Sequence, residues 1–192
     1  MEGTMNIPNT IFSVAEAERQ GVARWKLAQM CRDGAIERLS RGIYAPKGHA
    51  VAEMEIITLA KRGSDFVVAL ESALRFHGIT TAQATELTVA MKRGARKPTV
   101  DFPLRVVRLG QKSLVSGVET HVVGGEHIKV FSVAKTVADI FMFRNRIGLG
   151  LAIEALKEGF AKHLFTMDEL VRHANTNRVA KVMTPYMESL FA

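Results

Sequence analysis

Between Ser13 and Ile43 the chain is punctuated so closely that few folds can accommodate it. Ser13-Val-Ala-Glu16 has the spacing of a capping box, in which the serine hydroxyl accepts a backbone N–H and the glutamate reaches back. The short helix it opens stops at Gly21, a residue suited to the left-handed position past a helix end. A second helix spans about Ala23 to Asp33 and ends at Gly34, with Ala23, Leu27, Met30 and Cys31 as a buried stripe at helical spacing. Ile36–Leu39, the turn Ser40-Arg41-Gly42 and Ile43-Tyr44 then read as a tight hairpin, with Gly42 supplying the positive φ of the turn. Two helices joined through a glycine turn and followed by a hairpin make the plan of a winged helix-turn-helix. Its second helix enters the DNA major groove, and the hairpin lies on the backbone or in the minor groove. Helix pairs with hairpins also serve as dimerisation modules.

With that stripe buried, the opposite face of the second helix presents Arg24, Trp25, Lys26, Gln29 and Arg32. Arginine and glutamine read base edges bidentately, arginine on guanine and glutamine on adenine. Arg41 sits at the hairpin tip, where a guanidinium can enter a narrow minor groove. Arg38 and Lys47 read as phosphate contacts, which add affinity without sequence information. Trp25 reads first as packing back on the hairpin, with stacking on sugar or base as the alternative. A solvated helical face is the bland reading of the same residues.

Behind this module, Lys47-Gly-His-Ala50 reads as a linker, dividing a domain at 1–49 from a second at 50–192. Ala52–Arg62 reads as a helix, and Phe66–Leu70 as a short buried strand or the lead into helix Glu71–Phe76. Leu87–Met91, Leu104–Leu109, Val118–Val123 and Ile128–Phe131 read as strands, with Gly124-Gly125 as a hairpin turn. Ser132 caps a helix running to about Arg146, and Gly148 and Gly150 separate it from Leu151–Lys162. Thr166-Met-Asp-Glu169 is a second capping box, opening a helix to about Ala174, and Val179–Phe191 is the last helix, with Pro185 inside it. Helices, then strands, then helices predict an α+β fold: the winged module, then an α+β domain with a mostly antiparallel sheet and a helical C-terminal third.

The net charge of +7 suits a polyanionic partner. Basic residues outnumber acidic ones by seven to five in 1–49, eleven to eight in 50–130 and eight to six in 131–192, so the excess is spread rather than held in a tail. Cys31 is the single cysteine, which excludes an internal disulfide and points to a reducing cytoplasm. Met1–Thr10 has neither the basic nor the apolar region of a signal peptide, and the apolar runs are too short to span a bilayer. The six histidines have no compact ligand spacing, so neither metal nor cofactor is expected. His77, before Gly78, reads as a helix C-terminal residue rather than a catalytic base. Lys92, Arg93, Arg96 and Lys97 form a basic loop that reads equally as a solvated turn or as a second nucleic-acid contact. Asp101 follows it without the convergent carboxylates and lysine of a metal nuclease. Asp139, inside the apolar Thr136–Phe141, needs a partner among Lys135, Arg144 and Arg146.

Several blocks keep a common order along the chain: Arg32-Asp-Gly-Ala-Ile-Glu-Arg-Leu-Ser-Arg-Gly-Ile-Tyr-Ala45, Glu71-Ser-Ala-Leu-Arg-Phe-His-Gly-Ile79, Val130-Phe-Ser-Val-Ala-Lys-Thr-Val-Ala-Asp139, Phe143-Arg-Asn-Arg-Ile-Gly148 and Pro185-Tyr-Met-Glu-Ser-Leu190. In them the chain resembles the AbiEi-type antitoxins over about residues 11–190. The resemblance implies a cytoplasmic, non-enzymatic antitoxin of an abortive-infection (viral-defence) system, with a C-terminal domain associated with antitoxicity. It also implies two partners: double-stranded operator DNA, through which a shared operon is repressed, and a nucleotidyltransferase-type toxin encoded alongside. An enzyme acting on nucleic acid or on the toxin, and a protein-binding antitoxin without DNA binding, are the alternatives. Relatives carry a further helix before the capping box, and they tend to have Ser or Pro where Ala23 opens the second helix here. That helix is therefore expected to lack a side-chain N-cap.

Overall fold

The computed structural model describes residues 7–48, 53–80 and 85–191, and within them the chain is α+β, with two sheets and ten helices. It divides into two compact units. One is built on the chain up to Asp65 together with Pro98–Pro103 and Val122–Ile128, and the other holds the remainder. The expected linker residues His49 and Ala50 lie outside the described residues.

In the first unit a two-residue strand β1 (Phe12–Ser13) leads directly into helix α1 (Val14–Arg19). The capping box forms as expected: the Glu16 N–H donates to Ser13 Oγ at 3.3 Å, and the Ser13 N–H donates to Glu16 Oε2 at 2.6 Å. Helix α2 (Arg24–Arg32) follows, capped by the bare backbone of Ala23. Ala23 is exposed rather than part of the buried stripe, because it sits just outside the first turn; Val22, 3% exposed, fills the core in its place. Strands β2 (Ile36–Ser40) and β3 (Ile43–Pro46) form the hairpin, with a bulge between Arg38 and Ser40 and Gly42 at φ +80°. Strand β1 pairs antiparallel with β3, Phe12 opposite Tyr44, to complete a three-stranded sheet in the order β1-β3-β2. Phe12, Ala17, Val22, Leu27, Met30 and Ile36 close over one another as its core.

Helix α3 (Met54–Lys61) belongs to the same unit. Its Ile57 packs with Ile11, Ile43 and Ala45, and Val123 lies against that cluster. Gly124, in the turn Val122–Ile128, leaves no room for a side chain, since a Cβ there would stand 2.6 Å from Ile57 Cδ1.

The chain beyond Asp65 carries β4 (Val67–Val68), helix α4 (Leu70–Phe76), β5 (Leu87–Lys92), β6 (Leu104–Leu109), helix α5 (Gln111–Val115), β7 (Val118–Val123) and β8 (Glu126–Phe131), all in the second unit except the tip of the β7–β8 hairpin, Val122–Ile128. The sheet runs β6-β5-β4-β8-β7 and is mixed rather than mostly antiparallel. Strand β5 pairs in parallel with β6 over six residues and β4 in parallel with β8, whereas β4 and β5 are antiparallel. Parallel neighbours need a crossover rather than a tight turn, and Arg93–Pro103 is long enough to be one without forming a helix. The unbroken burial of Leu87–Met91 is that of a strand covered on both faces.

The helices follow as α6 (Val133–Met142), α7 (Arg144–Ile147), α8 (Leu149–Ala161), α9 (Met167–Thr176) and α10 (Ala180–Glu188). The helix expected from Ser132 to Arg146 breaks at Phe143, where Arg144 Nη1 turns back to take the Phe141 carbonyl at 2.9 Å. Gly150 lies inside α8, and the break is made by Gly148 alone, at φ +108°. Helix α6 is buried almost all round, and it holds the charged pair Lys135–Asp139, 0% and 1% exposed. Of the three candidate partners for Asp139 the structure selects Lys135 and adds Asn177, whose Nδ2 donates to Oδ1 at 2.6 Å. Lys135 Nζ donates also to Ser113 Oγ at 3.0 Å. Burial pushes the Asp139 carboxyl up and the Lys135 ammonium down, and each charge opposes the shift of the other.

Candidate nucleic-acid interface

Helix α2 advances about 100° per residue. Arg24, Trp25, Ala28, Gln29 and Arg32 therefore fall within an arc of about 140°, and all five are exposed. Leu27 and Met30 occupy the other side and are buried. Lys26 lies beside Met30 and is half-buried, at the margin of the exposed face rather than on it. Trp25 does not pack on the hairpin: at 68% exposure its indole stands in solvent. Arg24 Nε is 3.7 Å from Glu18 Oε1, an open ion pair of the kind that contributes little. No side chain caps the N-terminus of α2, as Ala23 implies.

The hairpin carries the other cations. Arg38, Arg41 and Lys47 are exposed. Arg38 Nε donates to the Ser40 carbonyl at 3.3 Å across the bulge. Lys47 Nζ lies 3.4 Å from where a Cβ of Gly34 would stand, just past the last turn of α2, where a cation faces the negative end of the helix. Burial pushes the Cys31 thiol up, against the pull of nearby Arg38, so it stays a packing group.

What pattern reasoning missed is the support behind the hairpin. Arg62, the residue after α3, donates from Nη1 to the Arg41 carbonyl at 3.1 Å and to Ser40 Oγ at 3.3 Å. One residue earlier, Lys61 reaches Glu16 and Glu126. Burial alone would raise the Glu16 carboxyl, but the Lys61 ammonium and the Ser13 N–H and O–H hold it below the usual carboxylate range. The same two carboxylates outweigh burial at Lys61 and raise its ammonium. These links join residues 45 and 65 positions apart in the chain, beyond the reach of any local motif.

Residues 10–47, the segment that builds both helices and all three strands, match a family model described as transcriptional regulator, AbiEi antitoxin. Over those residues the chain is similar to the AbiEi antitoxins. The family is one of regulatory antitoxins rather than enzymes. None of the curated proteins matches the chain.

In the second unit Lys92, Arg93, Arg96 and Lys97 are all exposed, but they are not equally available. Lys97 Nζ is held by the Leu104 carbonyl at 2.7 Å. His77 closes the C-terminus of α4, and its Nε2 hydrogen-bonds the Phe131 carbonyl at 2.8 Å. Among the described residues no group of three or more His, Cys, Asp or Glu gathers as metal ligands, and no helix is long and apolar enough to cross a membrane.

Proposed function

We propose that the protein is a DNA-binding antitoxin that represses its own operon, and that its N-terminal module acts as a winged helix-turn-helix. The observation that carries this reading is the exposed arc of α2, where Arg24, Gln29 and Arg32 surround the small Ala28 and the free Trp25 indole. Two base-reading arginines and a glutamine surround a methyl-sized residue that permits close approach to a thymine methyl. The uncapped N-terminus of α2 leaves backbone N–H groups for a phosphate oxygen. Arg41 reaches toward the minor groove, and Arg38 and Lys47 contact phosphate, as Lys26 does from the margin of the face.

The cytoplasmic partner on the protein side is a nucleotidyltransferase-type toxin of an abortive-infection system, and neutralising it is the task of the second unit, which has no catalytic activity of its own. Support for that division comes from the resemblance in residues 71–79, 130–148 and 185–190, blocks that no DNA-reading role requires. The basic loop from Lys92 to Lys97 supplies a second, sequence-independent contact to the duplex through Lys92, Arg93 and Arg96. The test is anisotropy of the full chain with labelled duplex from upstream of its own coding sequence, titrated at several salt concentrations. Binding to that duplex at least tenfold tighter than to a scrambled one is expected. Equal affinity for both overturns base reading.

A further inference from the structure

Strand β6 is the outermost of the five-stranded sheet, and among the described residues it pairs with β5 alone. A cavity of about 310 Å³ opens against it, lined by Arg105, Val106, Val107 and Arg108 and, on the other side, by Phe143 and Arg146. Side chains of successive strand residues stand on opposite faces of a sheet. The cavity follows β6 along Arg105–Arg108, and the outer edge of that strand has no neighbour among the described residues. That edge offers a row of backbone N–H and C=O groups, a template for one more strand. Neither a proline nor a bulge interrupts β6, and its only charges are Arg105 and Arg108.

The charges around the groove are of one sign. Arg105 is bound to Glu71, Glu86 and Thr88 and is already neutralised. Arg108 donates to the Lys92 carbonyl and Arg146 is exposed, and neither meets a carboxylate among the described residues. Between them lies an apolar wall of Val107, Phe143 and Ile147. The floor is Leu70, at φ +52°, a left-handed conformation that leucine holds at a cost and that is concentrated at binding sites.

We propose that this groove receives an extended acidic segment of a partner protein, which adds to β6 as a further strand. Its carboxylates meet Arg108 and Arg146, and an intervening apolar side chain rests on Val107 and Phe143. A second copy of this chain fits less well, because its own β6 brings arginines and no carboxylate to Arg108 and Arg146. Nucleic acid would satisfy the arginines but leave the strand edge and the apolar wall unused. The proposal is independent of what α2 binds.

The probe is a fluorescein-labelled peptide, Asp-Val-Glu-Val-Asp-Val, titrated with the full chain at low salt and followed by anisotropy. Saturable binding is expected, weakened at least tenfold by Arg108→Glu or Arg146→Glu and unchanged by Lys181→Glu. All three positions are exposed, so the variants keep the fold. Methylating alternate backbone nitrogens of the peptide should abolish binding, and bound peptide should slow amide exchange in Val106–Arg108 several-fold. Absence of saturable binding, or equal binding of the N-methylated or lysine-for-acid peptide, overturns the proposal. Displacement of the peptide by scrambled duplex DNA assigns the groove to nucleic acid. Dimerisation lost in Arg108→Glu assigns it to a second copy; either outcome overturns the proposal too.

Discussion

The Lys61 ammonium stands 2.7 Å from Glu16 and 2.9 Å from Glu126, on a side chain only 5% exposed. One cation thus ties the first helix of the N-terminal module to a strand end contributed by much later sequence. Lys61→Met should lower the free energy of unfolding by about 2 kcal/mol. That is less than the cost of breaking a fully buried pair, because both carboxylates keep contact with water. Urea midpoints check this. Combining Lys61→Met with Glu16→Gln should lose clearly less than the sum of the two changes.

The same pair sets a pH dependence. Glu16 is held below its usual value, so its contribution is present above the ordinary carboxylate range and is lost as pH falls through the depressed value. Lys61 is raised, so its contribution is present below the ordinary lysine value and is lost as pH rises through the raised one. Unfolding midpoints of wild type and Glu16→Gln should therefore converge in acid and separate at neutral pH. A constant gap across the acid range would show that Glu16 does not titrate with folding.

In the second unit, Lys135→Met should cost about 3–5 kcal/mol, because it strands the Asp139 carboxylate inside α6. Lys135→Met with Asp139→Leu should recover most of that loss, as apolar replacements of buried pairs commonly do. Calorimetric melting of the three proteins decides it; a double variant no better than the single one would mean that Ser113 and Asn177 depend on the charges.

For DNA, Arg24→Ala should cost about 1–3 kcal/mol and relax preference at one base position. Lys47→Ala should weaken all sequences alike and flatten the salt slope by about one unit. Arg62→Ala touches no DNA in this reading, yet it frees the turn at Ser40 and Arg41. Operator affinity should fall a few-fold with the salt slope unchanged, which anisotropy across salt concentrations will read.

Repression and toxin neutralisation should be separable by point substitution. A cut between residues 49 and 50 would bare Ile57, which is 1% exposed and packs with Ile11, Ile43 and Ala45, so truncation would confuse misfolding with loss of function. Arg24→Ala with Gln29→Ala leaves that packing intact. Cells expressing toxin from an unrelated promoter should still be protected by this double variant, while promoter repression is lost. Failure of the folded double variant to protect would place neutralisation in the N-terminal module.

Most of the N-terminal module was legible because its signals are local: a capping box four residues long, glycines where φ is positive, and a stripe at helical period. Strand β1 escaped because two residues carry no period, and Phe12 reveals itself only opposite Tyr44. The sheet direction escaped for a different reason. The order helices, strands, helices predicts a mostly antiparallel sheet, although the continuous apolar run Leu87–Met91 already suits a strand covered on both faces. Trp25 shows the limit of side-chain reasoning, since burying an aromatic is the safer expectation and only the fold leaves this one bare. Lys61 and Arg62 read as unremarkable helix-end cations until the contacts of distant residues are known.

The turn Val122–Ile128 belongs to the unit that begins at the N-terminus, and this sets the order in which the protein can be assembled. A nascent chain that has passed Arg62 already contains α1, α2 and the hairpin, yet Ile57 lacks its Gly124 and Val123 contacts and Lys61 has one carboxylate of two. Translation must continue to about two thirds of the chain before the first unit can close. The module made first is thus completed late, and a ribosome stalled before residue 122 holds a helix pair whose supporting helix has not found its seat.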